Sequence, residues 1–147
     1  MKISSLALFC ITGCLVLTSC QSNPPRQYAI GPSYFPDGDL IILEDVHSSL
    51  GTFEQGDTVI IKGKYKLEGK QEAKLLLTIS QTEGDGHSLV QPEQMTIIQG
   101  KSGDFTLSIN INYRGYLHLS LRTASGKDRS FGSLYFGTPE QMQKVSI

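Results

Sequence analysis

The sequence is a series of short segments in which every second residue is apolar, separated by glycine-rich turns. Residues 58–67 show the pattern most clearly. Val59, Ile61, Gly63, Tyr65 and Leu67 fall on one side, and Thr58, Ile60, Lys62, Lys64 and Lys66 on the other. A period of two residues is that of a β-strand with one buried and one solvated face. Residues 104–112 repeat it, with Phe105, Leu107, Ile109 and Ile111 alternating with Thr106, Ser108, Asn110 and Asn112. Residues 115–123 do so again, with Leu117, Leu119 and Leu121 inward and Tyr116, His118, Ser120 and Arg122 outward.

Weaker segments complete the series. Residues 39–46 hold an unbroken Leu40-Ile41-Ile42-Leu43 run, which predicts burial on both faces. Residues 73–81 return with Leu75, Leu77 and Ile79 inward, residues 94–99 form a shorter strand around Ile97 and Ile98, and residues 129–137 form the last. Residues 82–91 are the longest loop. Residues 28–36 are expected to be irregular, because Gly31, Pro32 and Pro36 interrupt them. About seven strands in roughly 100 residues predict an all-β fold of two packed antiparallel sheets, spanning residues 37–138. The architecture resembles the immunoglobulin and fibronectin-III β-sandwiches, with a small barrel as the alternative. A C-terminal tail, residues 139–147, opens with Thr138-Pro139-Glu140-Gln141. Thr as N-cap, Pro at N1 and Gln at the capping-box position predict a helix start with one or two turns to follow.

The first residues read as an address. A basic start at Lys2 leads into an uncharged apolar stretch, residues 3–16, that is shorter than the ~20 residues a membrane-spanning helix needs. This predicts an N-terminal signal helix in residues 1–19. The motif Leu17-Thr18-Ser19-Cys20 resembles the lipobox of bacterial lipoproteins; Ile11-Thr12-Gly13-Cys14 fits less well, because it shortens the apolar core. The resemblance implies cleavage before Cys20 and acylation of its thiol by a diacylglyceryl group carrying palmitate-like chains. Each buried CH₂ contributes ~0.8 kcal/mol, so two or three chains form a lasting anchor. By the same resemblance Gln21, where an Asp favours inner-membrane retention, permits export to the outer membrane of a Gram-negative envelope. Cys10 and Cys14 would leave with the leader, so Cys20 would remain alone and the mature fold would contain no disulfide. Residues 20–36 then form a polar, proline-rich tether. Two further phrases, GDTVIIKGKYKL from Gly56 and SFGSLYFGT from Ser130, resemble an uncharacterised group of secreted bacterial β domains, a resemblance that implies no activity.

Charge and motifs narrow the function classes. With Lys plus Arg at 13 and Asp plus Glu at 14, the chain has no electrostatic footprint for nucleic acid. The motifs GxSxG and HExxH, the Walker loop and the EF-hand loop are absent. Gly100-Lys101-Ser102 reads as a hairpin turn. Asp45, His47, Ser48 and Ser49 hold the residue types of a hydrolase, but their adjacency says nothing of triad geometry, and a polar strand end is the plainer reading. Glu83, Asp85 and His87 are suitable metal ligands in a loop too glycine-rich to be preorganised. No cofactor and no metal site are therefore expected.

Two surfaces remain as binding candidates. If strands 104–112 and 115–123 pair across Tyr113-Arg114, Ser108, Asn110, Tyr116, His118, Ser120 and Arg122 form one polar face suited to a sugar or an extended chain. Lys62, Lys64 and Lys66, with Lys70 and Lys74 nearby, form a basic ladder whose plainer reading is protection of an edge strand. The leading expectation is a non-enzymatic, lipid-anchored binding or scaffolding module of the cell envelope. Its partner would be an envelope protein, met through the sheet face or by adding a strand to a sheet edge. The alternative is an accessory domain that binds surface polysaccharide through the 104–112/115–123 face, and a hydrolase using His47 or His118 ranks third.

Overall fold

The computed structural model describes residues 28–80, 94–125 and 129–145. Among the described residues the chain is all-β, with eight strands and one short helix: β1 Ala29–Tyr34, β2 Leu40–Ser48, β3 Thr58–Lys66, β4 Glu72–Ser80, β5 Gln94–Gln99, β6 Ser102–Asn110, β7 Tyr116–Thr123, β8 Ser130–Gly137 and α1 Pro139–Met142. They form two antiparallel sheets, one of five strands in the order β1-β8-β7-β4-β5 and one of three in the order β2-β3-β6. Between them lies a single apolar core that includes Val59, Ile61, Leu75, Leu77, Ile79, Ile109, Leu119, Leu121 and Phe136.

β3 follows its periodicity residue by residue. Val59, Ile61, Gly63 and Tyr65 are buried, and Ile60, Lys62, Lys64 and Lys66 are exposed. Three other expectations are corrected. Ala29–Tyr34 is a strand, because a register shift between Ile30 and Ser33 absorbs Gly31 and Pro32 and the strand lies at a sheet edge, where a proline costs little. Leu40 and Ile42 are 40% and 49% exposed while Ile41 and Leu43 are buried, so β2 alternates; the three-stranded sheet covers the core with one face only. The third correction concerns pairing. β6 pairs with β3 and β7 pairs with β4 and β8, so the expected 104–112/115–123 hairpin does not form. Residues 111–115 instead cross from one sheet to the other. Ile111 stays in the core and exchanges backbone hydrogen bonds with the β2–β3 loop: its N–H donates to Asp57 O (2.8 Å) and its carbonyl accepts from Gly56 N (2.8 Å). Gly115 then runs so close to β4 that a Cβ there would overlap the Ser80 carbonyl oxygen.

The five-stranded sheet is buried on both faces at its centre. Leu76, Thr78, Ser80 and Ser120 point away from the core by strand parity, yet none is more than 1% exposed. α1 follows the predicted capping box: Thr138 Oγ1 accepts from Gln141 N, and Gln141 Oε1 accepts from Thr138 N. Its Met142 is buried against Gly31 and Gly137.

Candidate functional site

Separation of β6 from β7 divides the expected binding face between the two outer surfaces of the sandwich. Ser108 and Asn110 lie exposed on the three-stranded sheet, where Thr58 Oγ1 donates to Asn110 Oδ1 (2.9 Å). Tyr116, His118, Ser120 and Arg122 lie on the opposite side, on β7. There the His118 ring stacks on Tyr135 (centroids 4.4 Å apart, planes within 10°), and Ser120 is buried opposite Ser133 and Leu76. The six residues share no surface, because strand periodicity sets which side a residue faces but not which strand lies beside it.

The Lys ladder is also placed differently. β3 is the central strand of its sheet, so its lysines guard no edge. Two of them meet carboxylates instead: Lys64 contacts Glu44 of β2 and lies 3.9 Å from Asp104 of β6, and Lys66 contacts Glu68. Lys70 sits at the end of the sandwich where the β3–β4 turn lies. Its ammonium donates to the buried Asp39 (2.9 Å) and lies 4.3 Å from the centroid of the Phe131 ring. Asp39 also accepts from Glu68 N (2.7 Å), so one carboxylate ties the entry to β2 to the turn after β3.

The hydroxyls of the suspected hydrolase cluster serve a loop. Ser48 and Ser49 both donate to Asp57, which is 1% exposed and also accepts from the backbone N–H of Leu50 (3.1 Å) and Phe53 (3.0 Å). His47 is exposed on the other face of β2. Burial alone would raise the Asp57 pKa, but the hydrogen bonds from Ser48, Ser49, Leu50 and Phe53 outweigh it and hold the carboxyl well below its ordinary range. The loop closes tightly enough to place buried Phe53 at φ 53°, a left-handed conformation unusual for a bulky residue. The Glu83, Asp85 and His87 candidates and Cys20 lie outside the described residues. Among the described residues, no three potential metal ligands cluster.

Two features emerge that sequence reasoning did not single out. One is an open cleft of about 550 Å³ at the end of the sandwich, lined by Glu54, Gln55, Arg114, Gly115, Tyr116, Gln141 and Lys144. Gln141 helps to build it, since its Nε2 donates to Phe53 O (3.1 Å) and so fastens α1 to the β2–β3 loop. The other is β6, which lies at the edge of its sheet among the described residues. Among the described residues the sandwich has four edge strands, β1, β5, β2 and β6. β1 is interrupted by Pro32 and a register shift; β2 carries a shift between Leu43 and Asp45, with two carboxylates there; β5 is only six residues long. β6 pairs with β3 over Ser102–Asn110 without a register shift, contains no proline, and has Asp104 as its sole charge. Among the described residues, β3 is its one strand neighbour. The signal was present in the sequence as a charge-poor run, but only the sheet order reveals which strand is an edge. No family model, curated protein or solved structure matches the chain.

Proposed function

We propose that the chain is a lipid-anchored, non-catalytic binding or scaffolding module of the bacterial cell envelope, held through Cys20. It takes an extended segment of a partner protein as an added strand along β6. The observation that carries this reading is the contrast among the edges: three are shortened, bulged or interrupted, and β6 is one long regular strand with a single strand neighbour among the described residues. Such an edge is a template for pairing, and folded proteins usually guard it. The outward side chains Thr106, Ser108 and Asn110 add hydroxyl and amide groups beside that ladder. The sandwich falls within the immunoglobulin- and fibronectin-III-like architectures on this reading, and Gln21 directs the anchor to the outer membrane. The polysaccharide alternative loses the continuous face on which it rested.

The test is photo-crosslinking in intact cells. A photoreactive residue at Thr106 should give discrete protein adducts, and these should vanish when Ser108→Lys places a charge on the edge. The same group at Ile42, on the interrupted β2 edge, should give none. Equal adducts from both positions, or adducts indifferent to Ser108→Lys, would contradict strand addition at β6.

A further inference from the structure

The loop end of the sandwich and the start of the described chain coincide. Ala29 pairs with Gly137, Gly137 leads into α1, and α1 is bonded to the β2–β3 loop, so Tyr28 emerges beside residues 49–57, residues 111–115 and the cleft. Two large side chains project from this end. Leu50, in the β2–β3 loop, is 63% exposed, and Tyr113, in the crossover, is 52% exposed. They rank among the most exposed apolar side chains described, and both sit on loops pinned by the Asp57 hydrogen bonds rather than on a sheet face. Arg114 and Lys144 line the cleft at this end, and among the described residues its acids include Glu54, Glu140 and the buried, ionised Asp57.

We propose that this end rests on the bilayer surface, with Leu50 and Tyr113 entering the headgroup region and Arg114 and Lys144 meeting lipid phosphates. The proposal builds on the Cys20 anchor proposed above and adds the orientation of the domain. Residues 21–27 separate Cys20 from Tyr28, a reach of no more than roughly 28 Å even when fully extended. An anchor that short keeps the exit end of the domain close to the membrane. What that end presents there is an aliphatic tip, an amphipathic aromatic and two long cationic side chains, the residue types that settle at a membrane–water interface. The acids of this end offset its two bases, so the seat depends on the apolar tips and on local phosphate contacts rather than on bulk attraction. Raised salt should therefore leave it in place. In this orientation β6 stands on the bilayer with its Asn110 end at the membrane and its Ser102 end farthest from it, and its edge remains open to a partner strand along that length.

The chain contains no Trp, so a single introduced Trp is a clean reporter. The chain from Cys20 onward retains every described residue. Leu50→Trp, Tyr113→Trp and, as a control on the sheet face, Ile42→Trp are each coupled through Cys20 to maleimide-lipid vesicles of phosphatidylethanolamine and phosphatidylglycerol that also contain brominated acyl chains. The expected result is a blue shift and at least twofold quenching at positions 50 and 113, none at 42, and the same in 0.5 M salt (about 4–5 Å Debye length). Positions 50 and 113 as unquenched as 42, quenching at one tip alone, or loss of quenching in high salt would overturn the proposed seat. Because the coupling is chemical, this outcome is separate from whether cells acylate Cys20, which fractionation of Cys20→Ser reads.

Discussion

Asp57 gathers more hydrogen bonds than any other described carboxylate, and it shapes the loop end. Ser48, Ser49 and the N–H groups of Leu50 and Phe53 all donate to it, and its own carbonyl accepts from Ile111 N. Asp57→Asn places an amide donor against groups that themselves donate, and should cost about 3 kcal/mol in urea unfolding. The wild-type side chain also has a pH signature. Its folded pKa is depressed, so the unfolded state binds the proton more readily. The stabilisation it supplies is full above its ordinary value of 3.8 and is lost as pH falls below that value towards the folded pKa. Unfolding curves below pH 4 should therefore show a steeper loss of stability in the wild type than in Asp57→Asn, and parallel slopes would contradict the assignment. None of this was legible in the sequence. Ser48 and Ser49 suggested chemistry because they adjoin Asp45 and His47, whereas the carboxylate they serve arrives only when the loop closes.

At the scale of elements, β3 was legible because both its neighbours are strands and its two faces have different solvents, so each residue obeys the alternation. β1 was not, because Gly31 and Pro32 signal a break that an edge strand accommodates as a bulge. The β6–β7 relation was not legible either. Its connection, residues 111–115, is short enough for a hairpin, but Ile111 continues the inward apolar series and is held to the β2–β3 loop, which sends the chain across the core. Gly115 makes that crossing possible. Gly115→Ala would force a Cβ against the Ser80 carbonyl and Ile79, and should destabilise by about 1–3 kcal/mol by thermal or urea unfolding. Gly69→Ala, in a turn with open space around it but φ +72°, should cost only its backbone strain of ~1 kcal/mol. Equal effects would mean that the crossover does not approach β4 as described. The edge candidate belongs to this scale too: a Lys on an exposed edge residue such as Ser108 should leave the melting temperature within 2–3 °C of wild type, roughly the shift of a surface change below 0.5 kcal/mol.

For the whole molecule, the fold and its address were read from separate parts of the sequence. The sandwich follows from alternation across residues 37–138, and two sheets with one core are what the described residues contain. The anchor rests on Leu17-Thr18-Ser19-Cys20 and lies outside the described residues. It joins the two surfaces proposed here, because an anchor at Cys20 places the Leu50–Tyr113 end at the membrane, with the β6 edge standing on it from Asn110 to Ser102. The most direct measurement is cell fractionation with intact-mass analysis of the wild type and Cys20→Ser. The account predicts that the wild type is recovered from membranes without residues 1–19 and with acyl mass on Cys20, and that the variant has neither change and leaves the membrane fraction or keeps its leader. A variant processed and membrane-bound like the wild type would contradict it.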